Sequence, residues 1–107
     1  MEELAIIVFC TFPNLEEAKS IAPVLVEKKL AACCSILPRI LSYYTWDSKL
    51  KESEEILMMI KTSRKCYDKL EKQIKMLHSY SVPEIISVDV NHGSKAYLDW
   101  IFESTTL

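Results

Sequence analysis

Glycine is almost missing from this chain: 107 residues contain one. That excludes every glycine-rich phosphate loop, because neither GxGxxG nor a Walker A loop can be written with a single glycine. The GxSxG nucleophile elbow falls with them. Histidine is scarce as well, with two residues, His78 and His92. No CxxC pair occurs among the four cysteines, so neither a zinc knuckle nor a thioredoxin motif is available. Positive charge is not in excess: 13 basic against 15 acidic residues give a net charge of −2. A general polyanion binder wants the opposite balance, so no nucleic-acid partner is expected. Long apolar runs are lacking too. The longest, Leu4 to Cys10, is too short to span a bilayer, and Met1-Glu2-Glu3 has no basic region of a signal peptide. These absences lead to the expectation of a cytoplasmic protein with no membrane association.

What is present is an apolar, foldable chain. Half of the residues are hydrophobic and 26% are charged, which excludes intrinsic disorder. The length fits one domain, residues 1–107. In a reducing compartment Cys10, Cys33, Cys34 and Cys66 read as thiols, and most simply as small buried apolar residues. On a strand, the adjacent Cys33 and Cys34 point to opposite faces and do not easily share a metal.

Residues Leu4 to Cys10 form an unbroken apolar run, the pattern of a strand covered on both faces. Asn14 can cap a helix with Glu16 and Glu17 in its first turn, where the dipole favours acids. Leu15, Ala18, Ile21, Ala22, Leu25, Val26 and Leu30 then recur at helical spacing. Pro23 interrupts that helix and predicts a kink near Lys19, or packing that holds the chain straight. Ala31 to Ile36 is a second strand, and Pro38 marks a bulge or an edge. Leu41 to Trp46 resumes strand character, Asp47-Ser48-Lys49 is a hairpin turn, and Ser53 to Thr62 returns as a strand. Thr62 or Ser63 caps a helix striped by Tyr67, Leu70, Ile74 and Leu77. Residues His78 to Pro83 connect it to a half-buried strand with Ile86, Val88 and Val90 on one side. Asn91-His92-Gly93 turns into a short helix capped by Ser94.

The order β-α-β-β-α-β plus a terminal helix predicts an α+β fold, the ferredoxin-like split βαβ, with an antiparallel sheet and both long helices on one face. Strands apolar on both sides then pose a question. One face is covered by helices, and the chain has no spare layer for the other. A further subunit is the simplest cover, so an oligomer is expected.

Constellations for chemistry are few. No spacing selects a Ser-His-acid or Cys-His pair, so no enzyme is expected. Cys10 near the end of the first strand, His78 past the second helix and Glu84 at the last strand could meet at one end of the sheet or across a subunit boundary. Thiolate with imidazole suits copper or zinc. The plainer reading of His78 is a residue facing a helix C-terminus. Tyr43, Tyr44 and Trp46 read as a ligand platform or as interface packing. Lys61 and Glu84 read as strand-end charges that reach solvent or pair with each other. Glu52, Glu54 and Glu55 read as a solvated edge.

Several segments together resemble a known family. They are Thr11-Phe12-Pro13-Asn14, Val26-Glu27-Lys28-Lys29-Leu30-Ala31-Ala32-Cys33, Ser42-Tyr43-Tyr44-Thr45-Trp46, Glu54 to Thr62, His78-Ser79-Tyr80-Ser81-Val82-Pro83-Glu84-Ile85, and Tyr97-Leu98-Asp99-Trp100. They resemble the CutA divalent-cation tolerance proteins from about Ile6 to Ser104. The resemblance implies a subunit similar to PII signalling proteins, assembled as a tight homotrimer with sheets packed inward and hairpins bridging neighbours. It implies a non-enzymatic role in tolerance of divalent metals, copper above all. No cofactor is obligatory, and copper or another divalent ion would be held by Cys10 and His78. An inter-subunit cleft would be lined by Tyr44, Trp46, Lys61, Tyr80 and Glu84. Vertebrate relatives imply a scaffold role in assembling another protein. A PII-like sensor of a small molecule, with incidental metal binding, is the alternative. An RNA-binding ferredoxin-like module is disfavoured by the charge and by the lack of an RNP motif. The chain departs from the family pattern in having Ser79 where HPY has proline and Leu77 where some members have a second histidine. Its hairpin tip has no glycine, and Pro23 is atypical.

Overall fold

The computed structural model describes residues 3–105. The elements are β1 (Ala5–Phe12), α1 (Leu15–Glu27), β2 (Cys33–Trp46), β3 (Lys49–Ser63), a 3-10 turn (Arg64–Cys66), α2 (Tyr67–Leu77), β4 (Ile85–Asp89) and α3 (Lys95–Ser104). The four strands form one sheet in the order β2-β3-β1-β4, with every neighbouring pair antiparallel. This is the expected split βαβ arrangement. α1 and α2 lie on one face of the sheet.

Side-chain alternation divides each strand between two faces. Ile6, Val8, Cys10 and Phe12 of β1 join Ile56, Met58 and Ile60 of β3 in the main core. Ala18, Ile21 and Leu25 of α1, with Leu70 and Ile74 of α2, close it from above. Register explains the match: Val8 pairs with Ile60 and Cys10 with Met58. On the opposite face Ile7 pairs with Lys61 and Val88, and Phe9 pairs with Met59 and Ile86. α3 covers only one end of that face, where Ile101 packs on Ala5 and Ala32. Leu37, Ile86 and Val88 remain 40%, 57% and 48% exposed. β4 therefore departs from the expectation of a half-buried strand. Its apolar residues Ile86 and Val88 face the open side, while the last apolar residue, Val90, lies beyond the strand against Ile101.

Local chemistry sets the helix ends. The Asn14 side chain accepts from the Glu17 N–H at 2.8 Å, as expected of an N-cap. α1 runs unbroken through Pro23, held by the buried Ala18, Ile21 and Leu25 on one side. Two other expected caps are not made. Thr62 Oγ1 donates instead to the Leu30 carbonyl at 2.7 Å, and Ser63 Oγ meets Thr105 Oγ1 at 3.0 Å. The intervening 3-10 turn delays α2 to Tyr67. Ser94 precedes α3 without a side-chain capping bond. Short hydroxyl side chains are spent on tertiary partners here, which sequence spacing does not reveal.

Scarce glycine leaves left-handed positions to other residues. Lys29, Arg39, Asp47 and Ser48 have φ of 60°, 64°, 53° and 62°. Asp47 and Ser48 form the two-residue turn of the long β2–β3 hairpin, a geometry that normally favours Asn-Gly. Arg39 follows Pro38 in an irregularity between Leu37 and Ile40, which is where a bulge was expected. Lys29 ends the first helical segment, where Leu30 and Ala31 both donate to the Leu25 carbonyl at 3.0 and 3.2 Å. Each non-glycine residue there costs roughly 1–2 kcal/mol, less for Asp.

Candidate functional site

The β2–β3 hairpin, the end of β1 and the connector from α2 to β4 border an open cavity of about 650 Å³. Tyr44 and Trp46 reach it from β2, and Tyr80 and Glu84 from the connector. Lys61 does not line it. Its ammonium lies on the open sheet face, donating to Ser35 Oγ at 3.1 Å with Cys33 Sγ at 3.9 Å. Four of the five residues named for the expected inter-subunit cleft, Tyr44, Trp46, Tyr80 and Glu84, line this pocket of the single chain. Glu84 is not paired with Lys61, contrary to one simple expectation.

Glu55 also lines the cavity, although the sequence suggested a solvated acidic edge with Glu52 and Glu54. Parity along β3 separates them. Glu55 pairs with Ile40 and shares its face with Ser53 and Lys51, opposite Ser42 and Tyr44. Glu54 lies on the other face and pairs with exposed Arg39 at 2.9 Å. Glu52 accepts a hydrogen bond from Tyr43. A period of two read from Tyr44 across the hairpin is the signal that finds Glu55. The Tyr80 hydroxyl donates to Glu55 Oε2 at 3.2 Å, and the hydroxyls of Tyr44 and Ser53 meet at 2.8 Å. Burial, then the Glu55 charge, push the Tyr80 phenol up to about 12. Burial and the same charge hold the Glu84 carboxyl above the usual range.

His78 sits beside this cavity but is closed to it. Its side chain is fully buried and stacks on Phe12, with ring centroids 4.5 Å apart and planes 17° from parallel. Nε2 lies 2.7 Å from the Thr11 carbonyl, and Nδ1 lies 3.0 Å from the Tyr80 N–H. A carbonyl can only accept and an amide can only donate, so the ring proton sits on Nε2 and Nδ1 accepts. Both ring nitrogens are occupied, and Glu17 Oε2 lies 3.5 Å from Nδ1. Glu17 secures the same corner by accepting from the Ser79 N–H at 3.0 Å. The residue pins the connector to the end of β1.

The Cys10 thiol is fully buried on the helix-covered face. Burial above all, followed by Glu84, Glu17 and Glu55, pushes it up to about 12. A metal-binding cysteine must be a thiolate, and a metal-binding histidine needs a free nitrogen lone pair. Copper or zinc on Cys10 and His78 does not fit these two side chains as they are arranged. Among the described residues, no group of three or more His, Cys, Asp or Glu is placed to hold a metal ion. All four cysteines are free. Cys10 and Cys66 are buried as expected, and Cys33 and Cys34 are only partly so.

The architecture is a ferredoxin-like α+β fold with an aromatic and acidic cleft beside a long hairpin. The sequence profile of CutA1 divalent ion tolerance proteins matches residues 6–104, and this chain belongs to that family. The Divalent-cation tolerance protein CutA of Thermus thermophilus is 42% identical over 105 residues, covering 98% of this chain and 99% of that protein. Mouse Protein CutA is 42% identical over 97 residues, and there the matched part is 55% of the relative's length. The solved structure of the periplasmic divalent cation tolerance protein CutA of Archaeoglobus fulgidus superposes with a TM-score of 0.92 at 38% identity, covering 95% of this chain and 99% of that one. Among the described residues, no helix is long and apolar enough to cross a membrane.

Proposed function

We propose that this chain is a non-enzymatic binding protein serving divalent-cation tolerance, that it works as a homotrimer in the cytoplasm, and that the Tyr44–Trp46–Tyr80–Glu84 cleft is its working site. The cleft carries the reading: it is a roomy cavity whose lining holds carboxylates and aromatic rings but no histidine or cysteine. A hydrolytic or thiol mechanism has no nucleophile–base pair to use there. The open sheet face supports the assembly, since Ile7, Phe9, Leu37, Met59, Ile86 and Val88 form an apolar surface that copies of the chain would bury. Four unpaired thiols support a reducing compartment.

Metal binding, copper included, belongs to this proposal with a changed ligand set. Glu55 and Glu84 offer hard oxygens at the cleft, whereas Cys10 and His78 would have to break a buried network first. The test is calorimetric titration of Cu(II) and Zn(II) into the wild type, Cys10→Ser/His78→Ala and Glu55→Gln/Glu84→Gln, with light scattering for oligomeric state. Binding should survive in the first variant and vanish in the second. Loss in the first alone, with the fold intact, returns the site to Cys10 and His78. The second reading, a PII-like small-molecule sensor or assembly scaffold, draws on the aromatic faces of Tyr44, Trp46 and Tyr80.

A further inference from the structure

We propose that the cleft receives a small organic monocation, an ammonium or guanidinium group on an apolar body; this rests on reading the cleft as the working site. Two chemistries meet in one cavity. Tyr44, Trp46 and Tyr80 border it with aromatic rings, and Glu55 and Glu84 border it with carboxylates. The face of an aromatic ring is the negative part of its quadrupole and attracts a cation, tryptophan most strongly. A carboxylate supplies the charge-assisted hydrogen bond that a bare ring lacks. An anion would meet like charge, and a neutral apolar molecule would strand the carboxylates.

The local field points the same way. Glu55 is a secondary cause, after burial, of the raised pKa of Tyr80 and of Glu84, and Glu84, Glu17 and Glu55 act likewise on Cys10. Carboxylates that raise the proton affinity of the groups beside them mark negative potential, and an incoming cation relieves it. Lys51 borders the same cavity, so two carboxylates against one ammonium leave one negative charge among these three groups. That balance leaves room for one positive charge. The Tyr80 hydroxyl, donating to Glu55 at 3.2 Å, holds that carboxylate in place before a ligand arrives.

Three probes of one shape test the charge requirement: 2-phenylethylamine, 2-phenylethanol and phenylacetate. In a Trp100→Phe background Trp46 is the one remaining tryptophan, so its fluorescence reports the cleft directly. The amine should bind at least ~10-fold more tightly than the alcohol or the acid, and weaken ~10-fold in Glu84→Gln and in Glu55→Gln. Raising the salt should weaken the amine and leave the alcohol unchanged. Equal binding of amine and alcohol would overturn the proposal and leave a plain apolar pocket. No response to the amine, with Cu(II) or Zn(II) binding still lost in Glu55→Gln/Glu84→Gln, overturns it while the cleft remains the working site. No response to amines or metals, in wild type and variants alike, removes the cleft reading as well.

Discussion

The two faces of the sheet are built from the same strands and differ only in what covers them. In β1, Val8 and Cys10 are fully buried beneath the helices, while their neighbours Ile7 and Phe9 stay partly exposed on the other side. Both sets are apolar. The helix-covered face carries its own lid within the chain, whereas the opposite face has α3 at one end and otherwise lies open. One face makes the fold stable, and the other stays largely uncovered within the chain. Apolar surface of that extent is rarely left bare in a protein that stays monomeric.

The sharpest way to separate the faces is to damage each in turn. Ile60→Ala removes a fully buried side chain facing the helices and should cost about 2–5 kcal/mol, measured by urea denaturation. His78→Ala deletes a ring stacked on Phe12 and two hydrogen bonds, one buried and one partly buried, and should cost about 2–4 kcal/mol. A cost within ~0.5 kcal/mol would contradict a pinning role for His78. Val88→Asp places a charge on the open face, where Val88 is already 48% exposed. It should cost one subunit less than ~1 kcal/mol yet abolish assembly in light scattering. A variant that still forms the wild-type oligomer would show that this part of the face is not the interface. Lys29→Gly relieves a left-handed residue at φ 60° and should raise stability by about 0.5–1 kcal/mol, even though it also loosens the unfolded chain.

The smallest effect is expected in the cleft. The folded state holds the Glu84 carboxyl above its ordinary value of 4.5, so the folded state binds that proton more tightly than the unfolded state does. The stability it contributes is complete below pH 4.5 and is lost as pH rises through the raised folded value. Glu84→Gln should flatten that loss and leave the protein slightly more stable at neutral pH. Thermal midpoints across the acid range read the difference, and a parallel shift at every pH would show that Glu84 titrates as it does in an open chain.

The element order was legible because each local signal agreed with its neighbours. Apolar runs gave β1 and β3, the helical spacing of Leu70 and Ile74 gave α2, Asn14 gave the start of α1 and Pro38 the bulge. Pro23 looked disruptive and is absorbed by a helix held through Ala18, Ile21 and Leu25. The cleft was legible in part. Tyr44, Trp46, Tyr80 and Glu84 meet there, but Glu55 was hidden among neighbouring acids, and Lys61 lies six residues further along the same face of β3, away from the cavity. Whether Glu54 or Glu55 turns toward Tyr44 depends on hairpin register, and the irregularity after Leu37 resets that register across strands.

Taken alone, the residues determine the split βαβ order, the two apolar faces of the strands and membership of the CutA1 family, because periodicity, turn chemistry and motif spacing are local properties of a chain. Only the tertiary structure decides the states of Cys10 and His78. A thiol becomes hard to ionise when a core closes over it, and an imidazole is occupied only when Thr11 and Tyr80 arrive from distant segments. The near-absence of glycine is visible in the sequence, but its consequence, four other residues in left-handed backbone, appears only once the helix end, the bulge and the hairpin turn are built.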